Sequence, residues 1–215
     1  EKMNIVSFSD AHSFWTWRIG REATIFEFDK LSYDNIMKAI RTGKGLKRTI
    51  ETPPEYGKYH WDGHRNCNFS CSPAETKKLN GICPICKKKL TIGVEYRIEQ
   101  LAKHEDGYKP GNAKPYKSII PLTELIAVLY DTNQLASKKI WDVYNKLNRL
   151  FGNEFEILLN TSYDKLKAAV DKKLADLIIM NRENKLEIKP GYDGVYGQVI
   201  VKEKIANKQR TLKDF

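Results

Sequence analysis

The sequence has no apolar run near the roughly 20 residues that a membrane-spanning helix requires, and its opening, Glu1-Lys2-Met3-Asn4, does not resemble a signal peptide. Cysteine is scarce, with four residues in the chain, and the missing signal peptide argues against disulfides between them. No Gly-x4-Gly-Lys-Ser/Thr phosphate loop is present, which disfavours an ATP-driven helicase. The lack of a membrane span and of a signal peptide predicts a soluble, cytoplasmic protein.

Positive charge, in contrast, is in excess. The 215 residues include 37 Lys plus Arg against 27 Asp plus Glu, which gives a formal charge of +10 and a pI of about 9.3. This excess suits a polyanionic partner, because binding would release its counterions. Charge alone names no partner. The hydrophobic content of 41% is enough for a real core in one domain or two small ones.

The N-terminal residues predict one strand followed by one helix. Residues 4–9 form a short, partly β-branched stretch followed by a polar turn, which is typical of a buried strand, and Ser32 opens a helix that ends at Gly43. One such unit cannot close a sheet. Because the chain lacks an initiator methionine and runs almost directly into apolar residues, we expect a fragment, whose first part packs against missing chain or forms a small appendage.

The C-terminal half predicts two amphipathic helices and a hairpin. The first helix extends between Ser137 and Gly152, and the second follows Ser162. Their apolar faces are typical of core rather than of a partner groove; they comprise Ile140, Val143, Tyr144, Leu147, Leu150 and Phe151 in the first helix and Leu166, Val170, Leu174, Leu177 and Ile178 in the second. Residues 186–188 and 199–201 flank a glycine-rich turn as the strands of a hairpin.

All four cysteines fall in two close pairs, Cys67-x3-Cys71 and Cys83-x2-Cys86. Zinc prefers four tetrahedral ligands, and a tight turn within each pair directs two thiolates at one point. The alternatives are two disulfides or four free thiols. His64 is a rival ligand, but four cysteines already complete the shell. We therefore predict a closed, structural zinc site.

Five lysines surround these cysteines, namely Lys77, Lys78, Lys87, Lys88 and Lys89. On a folded zinc module they would form a basic surface for phosphates. The alternative is a solvated face without a partner.

Asp10 and His12 form a second candidate metal site. They lie two residues apart at the end of the predicted first strand, and the period of a strand directs both side chains to the same side. A carboxylate and an imidazole suit a catalytic zinc or manganese ion. The alternative is a capping aspartate beside an ordinary histidine.

The surrounding residues extend this pattern. Ser9-Asp10-Ala11-His12-Ser13, followed by Arg18-Ile19-Gly20-Arg21-Glu22, resembles the last metal-binding motif of PHP-domain phosphoesterases, which are seven-stranded barrels that hold up to three metal ions. The resemblance implies that Asp10 and His12 are catalytic residues and ligate zinc, manganese or magnesium. The earlier motifs of that family have no counterpart here, so the metal centre is incomplete.

This PHP ending, residues 59–65 (Tyr-His-Trp-Asp-Gly-His-Arg), the cysteine pairs and residues 190–197 (Pro-Gly-Tyr-Asp-Gly-Val-Tyr-Gly) together resemble the endonuclease Q family over nearly the whole chain. The resemblance implies the second half of a DNA-repair endonuclease that nicks DNA 5′ of deaminated bases (uracil, hypoxanthine, xanthine) and of abasic sites. Candidate DNA contacts are Arg18, Arg21, His60, His64, Arg65, Lys87, Lys88, Lys89, Tyr192 and Tyr196; structural packing is the alternative for the histidines and tyrosines.

The last residues, Gln209-x2-Leu212-x2-Phe215, resemble a sliding-clamp-binding box, in which one helical turn presents Leu and an aromatic ring to a pocket. The usual second aromatic residue is missing. The alternative is a frayed polar tail.

We therefore predict an α+β protein made of five successive segments. These are the end of a PHP domain (residues 1–55), a four-cysteine zinc module (56–102), a linker (103–118), a helical domain with a C-terminal hairpin (119–205) and a tail (206–215). The alternative function is a non-catalytic, zinc-containing DNA-binding or scaffolding module. The two differ in whether the missing barrel motifs are encoded upstream.

Overall fold

The structure is a computed structural model that describes residues 4–111 and 113–200. The chain divides into a first unit, Glu1–Thr52 with Lys109–Lys185, and a second unit, Pro53–Tyr108 with Leu186–Phe215. The predicted linker spans the division at residue 108. The strands of the predicted hairpin fall in the second unit, which also contains the four cysteines.

Helices and small sheets alternate along the described residues. The strands are β1 (Ala23–Phe26), β2 (Leu46–Glu51), β3 (Asp62–His64), β4 (Phe69–Cys71), β5 (Tyr116–Ser118), β6 (Glu187–Lys189) and β7 (Gln198–Ile200). The α-helices are α1 (Tyr33–Thr42), α2 (Pro73–Lys78), α3 (Val94–Leu101), α4 (Leu122–Leu129), α5 (Lys138–Phe151), α6 (Glu154–Leu159), α7 (Tyr163–Ala169) and α8 (Lys172–Arg182). The mixed α+β class is therefore confirmed. None of these helices has the length and apolar character needed to cross a membrane.

The first unit contains a three-stranded sheet in which β2 pairs antiparallel with β1 and parallel with β5. Helix α1 connects β1 and β2, and its predicted ends are confirmed. The Ser32 hydroxyl accepts a hydrogen bond from the Asn35 N–H at 3.2 Å. Gly43 ends the helix in the left-handed conformation (φ 75°), which glycine adopts without steric cost.

Helices α4 to α8 supply most of the core of the first unit. The predicted helix from Ser137 to Gly152 is confirmed as α5. The predicted second helix is instead split into α7 and α8, because the chain is extended at Val170. The Asp171 carboxylate then caps α8 by accepting a hydrogen bond from the Lys173 N–H at 2.8 Å. The largest fully buried side chains are Leu46, Ile50, Ile120, Leu122, Leu125, Ile126, Ile140, Leu147, Ile157, Leu158, Leu166 and Leu174.

The strand predicted over residues 4–9 is wrong, since residues 4–10 have no regular secondary structure. Ser7 is tied to β1 through a side chain instead of a backbone ladder. The Thr24 hydroxyl accepts a hydrogen bond from the Ser7 N–H and donates one to the Ser7 carbonyl, both at 2.8 Å. Ile5 and Phe8 remain 76% and 63% exposed, so this segment lacks the buried face of a core strand.

The second unit is built from short ladders and close backbone contacts. Strands β3 and β4 form one antiparallel pair, and β6 and β7 form the predicted hairpin, in which Ile188 pairs with Val199. A Cβ atom at Gly191 would collide with the Gly57 carbonyl oxygen, so only glycine fits at this position. The backbone of the glycine-rich turn thus packs directly on the segment that precedes β3.

Candidate metal centre and nucleic-acid surface

Four side chains of the second unit converge on one point. The ligand atoms of His64, Cys67, Cys83 and Cys86 all lie within 4.8 Å of one another, and they form the one potential metal-binding group found among residues 4–111 and 113–200. The His64 Nδ1 atom is 3.1 Å from the Cys67 Sγ atom and 3.3 Å from the Cys86 Sγ atom. Cys83 is fully buried, whereas the other three are half-buried.

Two turns of the same local geometry supply these ligands. In each turn two ligands are separated by two residues, as His64-x2-Cys67 and as Cys83-x2-Cys86. The residue after the second ligand adopts the left-handed conformation, at Asn68 (φ 48°) and Lys87 (φ 63°). The Lys87 N–H also donates to the Cys83 carbonyl at 2.9 Å, which closes the second turn. Each turn therefore presents its two ligands to the same point.

The donor set fits a tetrahedral metal ion. Zinc bonds of about 2.3 Å to sulfur and about 2.0–2.1 Å to imidazole nitrogen place neighbouring ligand atoms about 3.5–3.8 Å apart. The nitrogen–sulfur distances of 3.1 and 3.3 Å need only a small expansion to reach this geometry. Four protein ligands complete the shell, so such a site has no open position for a catalytic water.

This group differs from the predicted four-cysteine set, because it contains His64 and does not contain Cys71. Cys71 lies at the end of β4 with 3% exposure. Its Sγ atom is 3.2 Å from the Thr76 hydroxyl, and burial raises the pKa of its thiol. The shared two-residue spacer of the two turns was the signal in the sequence that could have identified His64.

The pKa values of two thiols in the cluster are shifted in opposite directions. Burial raises the pKa of the Cys67 thiol, and hydrogen bonds with the Cys86 and Cys83 side chains raise it further. Burial also acts to raise the pKa of the Cys83 thiol, but hydrogen bonds from the backbone N–H groups of Cys86 and Ile85 outweigh it and lower that pKa. Cys83 is therefore better prepared than Cys67 to act as a thiolate ligand.

The predicted basic surface lies beside this cluster, with one exception. Lys78, Lys87, Lys88 and Lys89 are exposed. Lys77 instead forms an ion pair of 2.7 Å with Glu99, so its charge is already compensated. The last three lysines follow Cys86 directly, and no ion pair to them occurs within the described residues.

The other predicted DNA contacts separate into interior and surface positions. Tyr192 is 4% exposed and donates its hydroxyl hydrogen to the Asn68 Oδ1 atom at 2.9 Å, so it lies in the interior. His60 lies 3.3 Å from Glu95 with 12% of its side chain exposed. Arg21 hydrogen-bonds Thr52 at 3.0 Å with 14% exposed. In contrast, Arg18, Arg65 and Tyr196 are exposed, as are the three lysines described above.

Asp10 and His12 lie together at the surface of the first unit. The Asp10 Oδ2 atom is 3.5 Å from the His12 Nε2 atom, and their side chains are 94% and 89% exposed. The prediction placed them at the end of a strand, but residues 4–22 contain neither strand nor helix. Two ligands alone do not complete a metal site.

The first unit also holds a cavity of about 320 Å³ that the sequence did not indicate. Glu154 is one of its walls and accepts hydrogen bonds from the Leu122 N–H at 2.8 Å and from the Tyr144 hydroxyl at 3.0 Å. Burial raises the pKa of the Glu154 carboxyl. It also raises the pKa of Tyr144 to about 12, with a further contribution from the Glu154 charge.

Comparison with known proteins identifies a matching family model and relatives of this chain. A family model described as the MJ0043 C-terminal domain matches residues 121–185, which include α4 to α8. The uncharacterized protein MJ0043 of Methanocaldococcus jannaschii is 31% identical over 92% of this chain and 25% of its own length. The uncharacterized protein YqxK of Bacillus subtilis is 29% identical over 89% of this chain and 45% of its own length. The chain thus spans less than half of either relative.

Two solved structures match almost all of the chain. The lesion-specific endonuclease PfuEndoQ of Pyrococcus furiosus matches with a TM-score of 0.82 and 31% identity, over 92% of this chain and 49% of its own. An endonuclease Q structure in complex with a 27-mer duplex substrate with an abasic lesion at the active site matches with a TM-score of 0.79 and 32% identity. This match covers 93% of this chain and 50% of the endonuclease Q chain. The chain is therefore similar, in structure and in sequence, to the C-terminal half of endonuclease Q.

Proposed function

We propose that this chain is the DNA-binding half of a metal-dependent endonuclease that nicks DNA 5′ of deaminated bases (uracil, hypoxanthine, xanthine) and of abasic sites. The observation that carries the proposal is the similarity, at 32% identity and over 93% of this chain, to an endonuclease Q held on a lesion-containing duplex. The exposed lysines beside the metal cluster support it, since phosphate contacts dominate the affinity of proteins for DNA.

The ion at His64, Cys67, Cys83 and Cys86 is proposed to be structural zinc. One imidazole and three thiolates are ligands that zinc prefers, and the shell is closed. The role of this ion is to fix the two turns and thereby to hold Arg65 and Lys87 to Lys89 in place at the surface. It takes no part in the chemistry.

The catalytic ion is assigned to the surface pair Asp10 and His12, as the end of a PHP domain whose remaining ligands lie outside these residues. A bound zinc, manganese or magnesium ion would supply an activated water and stabilise the leaving oxygen. The carboxylate and imidazole, 3.5 Å apart, can each give one ligand to such an ion. The 94% and 89% exposure of the two side chains leaves them open to further ligands.

The second candidate is a non-catalytic, zinc-containing DNA-binding or scaffolding module. The observation that favours it is the same exposed pair, because two ligands do not complete a catalytic site. If the gene encodes the earlier PHP motifs upstream, the endonuclease is favoured over the non-catalytic module. The proposed clamp-binding residues Gln209, Leu212 and Phe215 lie outside the described residues.

Changing Lys87, Lys88 and Lys89 together to Glu tests the DNA contact. We expect weaker binding and a flatter dependence of log affinity on log salt, because each lost phosphate contact removes about 0.9 from the slope on duplex DNA. The measurement is a salt titration of a labelled uracil-containing duplex by fluorescence anisotropy. A denaturing gel of the same samples should show no nick, since the catalytic ligand set is incomplete.

The matched control changes Lys138, Lys165 and Lys167 of the first unit to Glu. These lysines are also exposed, and the change in net charge is the same. If both triple variants weaken binding equally, net charge and not the basic surface holds the DNA. Absence of any binding by the unaltered protein would reject the proposed function itself.

A further inference from the structure

Four cations of the first unit come together where helix α1 ends. We name Arg41, Lys44, Arg48 and Lys114 the α1 corner, and all four residues are exposed. The Cε atom of Lys114 would lie 3.3 Å from a Cβ atom at Gly43, the residue that ends α1. Lys44 follows Gly43 directly, and Arg41 belongs to the last turn of the helix. Three of the four cations are therefore placed at one helix end.

The sheet brings the fourth cation beside them. Strands β2 and β5 are parallel neighbours, and the Thr49 N–H donates to the Pro115 carbonyl at 3.2 Å. Arg48 precedes Thr49 and Lys114 precedes Pro115, so each of these two cations is next to one end of the same hydrogen bond. Because β2 and β5 are far apart in the chain, the corner is a product of the fold and not of one run of basic residues.

The positive charge of the corner exceeds what the helix end needs. A helix C-terminus carries only about half a negative charge, and the Ile40 carbonyl there already accepts a hydrogen bond from the Asn4 side chain at 3.0 Å. On the same strand as Arg48, Lys47 is paired with Glu27. In the part of the chain that the structure describes, by contrast, no carboxylate forms an ion pair with any of the four corner cations. Most of their charge is thus available to a ligand.

Exposed cations on long side chains suit a phosphate backbone, because phosphate contacts need charge and donors but no apolar pocket. The core of a protein–protein interface, in contrast, is depleted of charged residues. We propose that the α1 corner binds the phosphates of double-stranded DNA, as a second contact in addition to Lys87, Lys88 and Lys89 of the second unit. Phosphate contacts read neither sequence nor lesion, so the corner raises affinity and not selectivity. This inference rests on the proposed DNA binding.

The test changes Arg41, Lys44, Arg48 and Lys114 together to Gln, which removes the charges and keeps long polar side chains. Fluorescence anisotropy follows the binding of labelled duplexes, with and without uracil, over a range of salt concentrations. Each lost phosphate contact removes about 0.9 from the slope of log affinity against log salt, so the loss of two or more contacts should reduce the slope by about 1.8 or more. The reduction should be equal for the two duplexes, because phosphates carry no information about the base.

The matched control changes Lys138, Arg149, Lys165 and Lys167 to Gln. These residues are exposed on α5 and α7, and the change in net charge is the same. The control should keep the slope of the unaltered protein. Circular dichroism and metal content confirm that each variant is folded. The pairs R41Q/K44Q and R48Q/K114Q should each give about half of the reduction, which keeps the test decisive if the fourfold variant is unstable.

Three results would overturn the inference and leave the proposed function in place. The first is an unchanged slope in the corner variants, and the second is an equal reduction in the control. The third is competition by polyglutamate that matches competition by unlabelled duplex, since the corner would then bind an acidic polypeptide as well as DNA. Failure of the unaltered protein to bind either duplex would instead remove the proposed function, and this inference with it.

Discussion

The first unit has a core of apolar side chains from β2, α4, α5, α6 and α8, with Leu125, Ile126 and Leu147 at 0% exposure. In the second unit, the buried apolar residues among those described are Cys71, Cys83, Leu90 and Tyr192. Apolar burial contributes about 25 cal/mol per Å², so the second unit has little of this source. What it has in their place is the proposed metal-binding group and close backbone contacts such as those at Gly191.

The largest expected effect is therefore the loss of the metal. Apparent binding free energies of about 10–16 kcal/mol in zinc-finger peptides are folding free energy. We expect a strong chelator to remove amide-exchange protection from β3 and β4, while α5 and α8 keep theirs. Hydrogen-exchange mass spectrometry with and without chelator measures this, beside elemental analysis for about one zinc per chain.

Single ligand changes sharpen the same experiment. His64→Ala should lower the metal content, whereas Cys71→Ala should retain it, because the Cys71 Sγ atom bonds Thr76 outside the ligand group. The opposite result would restore the four-cysteine site. Equal loss of protection in both units would show that they do not differ in what stabilises them.

A large-to-small change in the first unit should come next in size. Leu147 on α5 is fully buried, and Leu147→Ala should cost about 2–5 kcal/mol through lost transfer energy and a residual cavity. Leu150 lies on the same helix but is 56% exposed, so Leu150→Ala should change stability by no more than about 0.5 kcal/mol. Urea unfolding followed by circular dichroism gives both values. Similar costs for the two variants would contradict an apolar core at Leu147.

The smallest effect is a dependence on pH within the first unit. The pKa of Glu154 is raised above an unfolded value of about 4.3. The stability that its protonated carboxyl contributes is present below that value and is lost as pH rises through the folded pKa. Glu154→Gln keeps an oxygen for the Leu122 N–H and removes the charge, so the slope of stability against pH should flatten, and the total change in unfolding free energy over the titration should shrink by about 1 kcal/mol or less.

Urea unfolding at several pH values measures that slope. Asp142→Asn, at an exposed position of α5, should leave it unchanged. An equal slope in the Glu154 variant and the unaltered protein would place the titrating group elsewhere.

Local signals were readable from the sequence. The caps Ser32 and Gly43, the ends of α5 and the hairpin pairing of Ile188 all depend on neighbouring residues, and the structure confirms them. The break at Val170 was missed because the apolar spacing continues across it, and Asp171 was not recognised as the residue that caps the start of α8.

Non-local features could not be predicted in this way. The parallel pairing of Ile50 with Lys117 joins strands that are far apart in the chain, and no local pattern specifies it. The place of His64 in the converging group was missed because four cysteines seemed sufficient by number, whereas turn geometry decides which atoms converge. Spacing alone identified three members of the cluster, namely Cys67, Cys83 and Cys86. The fourth, His64, became apparent only from the three-dimensional arrangement.

The path of the chain has a consequence for synthesis. All four metal ligands lie within residues 64–86, so the ion can be captured soon after this stretch leaves the ribosome. Asp193, which accepts from the Arg65 N–H, follows 128 positions later. A nascent chain would therefore hold its metal long before its hairpin arrives, and contacts over such separations form slowly. During that interval the Glu55 and Lys58 carbonyls, which later accept hydrogen bonds from the Gly191 and Gly194 N–H groups, stay without these partners.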